Sequence, residues 1–169
     1  MPRHFEMLAH YNRWANTLLY DAVAHVSDVE FHENRGAFFG SLCGTLNHLL
    51  VADQIWMRRF TGTGEAAASL NVILHDDLVE LRAAREAEDR RIIEWVETLD
   101  DDALAAEITY SPISIPGAIT HPLGPAVAHL FNHQTHHRGQ CHMTLTAMGK
   151  PSLWLDLMHF LREEGRRWM

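Results

Sequence analysis

Histidines crowd one short stretch near the end of the chain, and this crowding limits the possible fold more than any other feature. Five of the 13 histidines fall between His129 and His142, within H-L-F-N-H-Q-T-H-H-R-G-Q and the two residues that follow it. Histidine is a middling helix former and an awkward core residue, but it is the commonest neutral metal ligand. Packing alone does not explain so many histidines together, so the stretch indicates a metal centre.

The flanks of this stretch predict that it is helical. Gly124 and Pro125 suit the start of a helix, because proline is tolerated in the first turn. Gly149 followed by Pro151 suits its end. The histidines between them should therefore be spaced around a helical cylinder.

Helical spacing selects one pair of histidines as the best candidate ligands. His133 and His137 stand at i and i+4, about 40° apart at ~100° per residue, so they share a face. His129 extends the same face one turn earlier, and His136 lies at its edge. One helix supplies two ligands easily, and a third must come from another element.

The third ligand is predicted on the second long helix, which spans about residues 40–60. His48 lies close to the centre of its leucine-rich face. A lone histidine on such a face is usually a core residue, but a two-histidine helix that needs a third ligand favours His48 as that ligand. Asp53, five residues later, is either a buried hydrogen-bond partner or a carboxylate that orients an imidazole.

Apolar periodicity predicts two more long helices, at about residues 4–25 and 77–99. The charged block 82–91 of the latter, with its opposite-sign i, i+4 pairs, reads as a solvated face or a subunit contact. Residues 108–120 read as a small extended hairpin or ordered loop, and Ser152 should cap a last helix over about 153–162 whose apolar residues, Trp154 among them, pack on the bundle.

These elements predict an all-α four-helix bundle with a short C-terminal helix and a small extended segment between helices three and four. At 169 residues the chain is long enough for one domain, over 1–169, with a real core. Bundles build cofactor sites from side chains on facing helices, which suits ligands on the second and fourth long helices.

Composition limits the kinds of partner and environment that we expect for this protein. The chain carries 14 Lys and Arg against 22 Asp and Glu, a net charge of −8, which argues against nucleic acid. No apolar run approaches a membrane span and no signal peptide is apparent, so we expect a soluble cytoplasmic protein that does not bind membranes. Cys43 and Cys141 are too few for a disulfide framework and should be reduced thiols at the edge of the core.

Three neutral histidines leave a coordination position open, which suits catalysis better than a closed structural site. Zinc or nickel are the first expectations for the divalent metal, with iron, cobalt and copper as alternatives. The H-E-x-x-H motif is absent because Gln134 follows His133, so the sequence assigns no catalytic residue. Asp53, Gln140 and Tyr11 are candidate helpers near the ion.

Three motifs together resemble one known family. They are Y-N-R-W-A-N from Tyr11, L-N-H-L-L-V-A-D-Q-I-W from Leu46, and the histidine-rich stretch. In this order, and over nearly the whole chain, they resemble the DinB (damage-inducible) metal-binding superfamily, which is not the translesion polymerase of the same name. The resemblance implies a four-helix bundle, often homodimeric, with a divalent metal on three histidines that match His48, His133 and His137.

The resemblance also suggests a reaction class. The superfamily is similar to thiol-dependent S-transferases, including mycothiol- and bacillithiol-using enzymes and maleylpyruvate isomerase. The leading hypothesis is therefore a metal-dependent thiol transferase or hydrolase acting on a small molecule, with a low-molecular-weight thiol as co-substrate. Two alternatives stay open: a non-catalytic metal-binding stress-response module, and a hemerythrin-like di-iron protein built on the pairs His48/Asp53 and His159/Glu163.

Overall fold

The computed structural model describes residues 1–113 and 116–169, and helices dominate it. In chain order the elements are α1 (Pro2–Val23), α2 (Asp28–His32), α3 (Leu42–Thr61), α4 (Leu78–Val96), α5 (Asp101–Ala105), β1 (Glu107–Tyr110), β2 (Ile119–Pro122), α6 (Leu123–Ala147) and α7 (Leu157–Arg162), followed by a 3-10 turn over Arg166–Trp168. The long helices α1, α3, α4 and α6 form the bundle, which confirms the predicted all-α class.

Local sequence explains where the two histidine-bearing helices begin and end. Ser41 caps α3, its hydroxyl accepting the Gly44 N–H at 3.0 Å. Gly62, at φ +71°, closes α3 in the left-handed conformation that glycine adopts most readily. Helix α6 starts directly after Pro122 and is ended by Gly149 at φ +74°, so its predicted limits are right to within about two residues.

The four long helices enclose two apolar clusters. Helix α1 packs against α4 and α6, and α3 packs against the same two helices. One cluster gathers residues from the ends of the helices nearest the hairpin, among them Phe5, Met57, Ile92 and Leu130. The other, with Leu19, Leu46, Leu81 and Leu145, fills the opposite end.

A buried polar network lies among the four long helices and corrects the interpretation of the charged block 82–91. Arg85 and Asp89 are only 2% and 3% exposed. The Arg85 guanidinium lies 2.7 Å from an Asp53 oxygen of α3 and 3.1 Å from Asp89. The expected solvated face is therefore wrong for the middle of α4, although Arg82 and Glu86 do pair at its surface, at 2.9 Å.

Helices α1 and α6 complete this network with amides and a second arginine. Asn12 and Asn16 of α1 each donate to Asp89 at 3.1 Å. Arg138 of α6 donates to the side-chain oxygens of both asparagines. Two buried arginines thus balance two buried carboxylates, as buried charges require.

The predicted extended segment is a hairpin. Strand β1 pairs antiparallel with β2, from Glu107 opposite Pro122 to Tyr110 opposite Ile119. Ser114 and Ile115, which belong to the predicted segment, lie outside the described residues. The hairpin brings the Tyr110 ring to 5.0 Å from the ring of Trp56 on α3.

The last helix is shorter than predicted. It begins at Leu157, and Ser152 does not cap it, because the Ser152 hydroxyl bonds instead to His142 Nε2 at 3.0 Å. The Leu153 N–H donates to the same nitrogen at 3.1 Å. These bonds hold residues 151–156, which link α6 to α7 and are here called the C-terminal strap, against α6. Trp154 stays 70% exposed, contrary to its expected packing, whereas Phe160 and Leu161 are buried.

None of the helices formed by residues 1–113 and 116–169 combines the length and the apolar character needed to cross a bilayer.

Candidate metal centre

Helices α3 and α6 bring His48, His133 and His137 together. One ring nitrogen from each lies within 4.8 Å of the other two. The Nε2 atoms of His48 and His133 are 3.2 Å apart, and the ring of His137 is centred 4.6 Å from that of His48 and 4.4 Å from that of His133. The three residues predicted as ligands therefore converge on one point.

The environment of the three imidazoles keeps them neutral. Burial, with His137 as a second cause, lowers the pKa of His133 to about 3. Burial also lowers the pKa of His48 to about 4, and it lowers the pKa of His137. A neutral imidazole is the form that binds a metal, so no proton has to leave these rings before they can do so.

Two hydrogen bonds determine which nitrogen of two rings is free. Nδ1 of His48 lies 2.9 Å from the Leu70 carbonyl oxygen, which can only accept. Nδ1 of His137 lies 2.7 Å from the side-chain oxygen of Gln140. Because each Nδ1–H donates to these oxygens, each of the two neutral rings presents an unprotonated Nε2. Metal-binding histidines commonly donate their other ring N–H to an outer partner in this way.

Phe39, which precedes α3, covers one side of the centre. Its ring stacks on that of His48, with centroids 3.7 Å apart and planes 16° from parallel. The backbone of Phe39 can approach α3 only because residue 44 is glycine, since a Cβ there would lie 2.0 Å from the Phe39 carbonyl oxygen. No sequence pattern predicted this contact, because it depends on how the loop folds back onto the helix.

The three histidines fit a single divalent transition-metal ion. Two nitrogens that ligate one tetrahedral zinc ion at about 2.0–2.1 Å lie roughly 3.3 Å apart, close to the 3.2 Å between His48 and His133. Within residues 1–113 and 116–169, no carboxylate or thiol joins these three nitrogens. A bound ion would therefore retain an open position, as in three-histidine catalytic sites.

The structure separates the other predicted site residues into two groups. Gln140 contacts His137, as described, and His129 lies beside the centre with its ring 5.8 Å from that of His133. Asp53 touches no imidazole: it accepts from Gln134 and pairs with Arg85, so it is the buried hydrogen-bond partner of the two alternatives. Burial raises the pKa of Asp53 to about 6, against the opposing effects of Arg85 and Gln134.

Tyr11, which the sequence places near the ion, makes its contacts with the C-terminal part of the chain and with α1. Its hydroxyl donates to the Leu155 carbonyl oxygen at 2.6 Å, and its ring packs against Trp14 and Phe160. The motif that begins at Tyr11 therefore serves to dock the C-terminal strap and, through Asn12, to build the buried network.

A pocket of about 500 Å³ adjoins the centre, within the volume range of small-molecule sites. His48 and His133 form part of its wall, and His129, Trp56 and Arg59 continue it away from the three histidines. The sequence reading missed Arg59. Its only signal was its place at i+3 from Trp56, near the end of α3.

A second group of potential ligands combines the buried Cys43 with His32 and Asp76 nearer the surface, and the three approach within 4.8 Å of one another. His32 Nε2 is 3.2 Å from an Asp76 oxygen.

Burial, with Asp76 as a second cause, raises the pKa of Cys43 to about 11. Cys43 and Cys141 are both free and buried, which agrees with the expectation of reduced thiols.

Comparison with known proteins places the chain in a family. The chain is 25% identical over 158 residues to Protein DinB of Bacillus subtilis (strain 168), and the match covers 88% of each protein. The model of the DinB family matches residues 1–167, which include all three converging histidines. Together with the helical bundle and the buried histidine group, this supports a metal-binding protein. The chain belongs to the DinB family.

Proposed function

We propose that this protein is a metal-dependent enzyme, a thiol S-transferase or hydrolase, with its metal on His48, His133 and His137. The observation that carries the proposal is the convergence of three neutral imidazoles, two of which, His48 and His133, line a pocket large enough for a small molecule. When bound there, a divalent ion, zinc or nickel first, would supply Lewis-acid activation of a water or a thiol.

The chain's own residues would orient the ligands and shield the centre. The Leu70 carbonyl and Gln140 hold the rings of His48 and His137 in the required tautomer. Phe39 covers the face of His48 and limits the access of water from that side. The substrate and a low-molecular-weight thiol would enter from the pocket.

The open pocket favours an enzyme over a non-catalytic metal-binding module. Such a module would have its open position blocked by packing, whereas His48 and His133 both face the 500 Å³ pocket. The hemerythrin-like alternative fits poorly, because Asp53 pairs with Arg85 instead of sharing a site with His48. The other pair of that alternative, His159 and Glu163, is 3.3 Å apart at the end of α7 and does not belong to the histidine group.

Metal analysis of the natively purified protein tests the metal site. We expect close to one transition-metal ion per chain, lost on His48→Ala. His142→Ala is the matched control, because His142 lies on the same helix as His137 but bonds to Ser152 and does not belong to the converging group. An unchanged metal content in His48→Ala would remove His48 from the site.

Turnover distinguishes an enzyme from a metal-binding module. The metal-loaded protein would be incubated with an electrophile such as 1-chloro-2,4-dinitrobenzene and a panel of low-molecular-weight thiols, and with activated esters for hydrolysis. We expect turnover in one series that disappears with chelation and in His48→Ala. A fully metal-loaded protein that turns over neither class would support the non-catalytic alternative.

Homodimerisation stays a prediction. The charged block 82–91, one possible subunit contact, supports it less, because Arg85 and Asp89 in the middle of this block are buried within the bundle.

A further inference from the structure

The pocket beside the histidines has an unusual charge for this protein. The chain carries 22 Asp and Glu residues, yet none of the described residues that line the pocket is acidic. One arginine, Arg59, and four histidines line it, and the other lining side chains are apolar or aromatic. In a chain of net charge −8, a carboxylate-free wall with one fixed positive charge favours an anionic ligand.

Arg59 is held in place by aromatic rings and not by an acid. Its guanidinium carbon lies 4.6 Å from the centre of the Trp56 ring and 4.5 Å from that of Tyr110. One of its N–H groups donates to the Ser111 carbonyl oxygen at 3.2 Å. In the described part of the chain no carboxylate is within ion-pair distance of Arg59, which distinguishes it from the paired Arg82, Arg85 and Arg91.

This arrangement leaves donors for a ligand. A guanidinium carries five N–H donors in a planar fork that matches the two oxygens of a carboxylate or phosphate. Because the two rings fix its plane, binding an oxyanion costs little side-chain entropy. Trp56 then leads from Arg59 toward the metal centre: its ring is 5.2 Å from that of His129, which is next to His133.

We propose that the pocket binds an organic oxyanion, a carboxylate or a phosphate monoester, with its charged end on Arg59 and its apolar body along Trp56, directed toward the three histidines. The inference deepens the proposed function by naming the class of substrate, and it rests on that proposal only for the reaction at the histidine end. Arg59 is thus a specificity-determining residue.

Binding of matched probes to the metal-loaded protein tests this inference. Phenylacetate, phenyl phosphate and the neutral phenylacetamide would be compared by titration calorimetry near neutral pH. We expect at least one of the two anions to bind about 10-fold or more tightly than the amide, as one charge-assisted hydrogen-bonded pair allows. The better of the two anions distinguishes a carboxylate from a phosphate site.

Variants assign the preference to Arg59. Arg59→Gln should bring the affinities for anion and amide within about twofold of each other, and Arg59→Lys should keep part of the preference. Arg58→Gln is the matched control, because Arg58 is the adjacent arginine but is exposed and directed to the Gly64 carbonyl. Circular dichroism and thermal melting verify that each variant is folded.

The same titrations on chelator-treated protein separate this inference from the metal proposal. A preference that survives chelation and disappears in Arg59→Gln supports Arg59 even if the metal proposal fails. A preference that disappears with chelation and survives in Arg59→Gln would mean that the anion binds at the metal, and would overturn the inference. Equal binding of the three probes to the wild-type protein would overturn it as well.

Discussion

At the scale of single residues, hydrogen bonds made by the Nδ1 atoms of His48 and His137 prepare these two rings for their role. His48 uses a backbone carbonyl, that of Leu70, whereas His137 uses the side chain of Gln140. A backbone acceptor cannot be removed by substitution, but Gln140 can be changed. Partners of this kind fix the tautomer and raise the basicity of a metal ligand.

Replacement of Gln140 should weaken metal binding without removing a ligand. We expect Gln140→Ala to lower the metal affinity about 10- to 100-fold, because His137 loses the acceptor that orients it. Gln140→Glu, which retains an acceptor oxygen, should stay close to the wild type. Competition with a chromophoric chelator measures the metal affinity of both variants. Equal affinities for Gln140→Ala and wild type would contradict the role of Gln140 in orienting His137.

His32 should make a small, pH-dependent contribution to stability. Its pKa is raised above 6.5, chiefly by the Asp28 carbonyl, with further help from the Asp28 and Asp76 carboxylates. A raised pKa in the folded state stabilises the protein below pH 6.5, and this contribution is lost as the pH rises through the folded pKa. Because the ring is 33% exposed, we expect less than about 1 kcal/mol.

Urea denaturation of wild type and His32→Gln between about pH 5.5 and pH 8 measures this contribution. The difference in the free energy of unfolding should be largest at the acidic end and shrink toward pH 8. A difference that stays constant over this range would show that protonation of His32 is not coupled to folding.

At the scale of elements, the buried network connects the two ligand-bearing helices to the rest of the bundle. Asp53 of α3 and Gln134 of α6 bond to each other, and Gln134 directly follows His133. Arg85 of α4 lies against Asp53 on the other side. The network therefore constrains how α3 and α6 are rotated about their axes. This rotation in turn directs His48 and His133 toward each other.

Loss of Arg85 should destabilise the protein strongly. Arg85→Met keeps most of the side-chain volume but leaves the carboxylates of Asp53 and Asp89 without their cation, which costs about 3–5 kcal/mol for a buried pair. Arg82→Met, on the same helix but at the surface, should cost less than about 1 kcal/mol. Chemical denaturation measures both, and similar losses for the two variants would contradict the importance of burial.

At the scale of the whole molecule, the proposed metal would act as a cross-link between α3 and α6. These helices are far apart in sequence, since His48 and His133 are separated by 85 residues. An ion that binds only the folded arrangement stabilises it by mass action. Folding and metal binding should therefore be linked in this protein.

Metal removal should lower the melting temperature. With free metal ~1,000-fold above its dissociation constant the stabilisation is about 4 kcal/mol, or roughly 10 °C for a chain of this size. Differential scanning calorimetry with and without a chelator measures the change. His48→Ala should show no such change, and an equal shift in this variant would place the stabilising ion elsewhere.

The sequence alone determined the long helices and the shared face of His133 and His137, and it selected His48 as the candidate third ligand. The reason is periodicity: apolar residues at helical spacing define the elements, and His133 and His137 share a face whenever α6 is a helix. The Ser41 cap and Gly62 at the ends of α3, and Gly149 after α6, act locally, so the limits of these helices were also predictable.

Only the tertiary structure decided what lies opposite these faces. Arg85 and Asp89 look like surface residues in sequence, because their burial depends on Asn12, Asn16 and Asp53 from other helices. Arg59 owes its place in the pocket to Tyr110, 51 positions later on the hairpin. Side-chain periodicity describes one element at a time, whereas the partner of a charge is chosen by the packing of several.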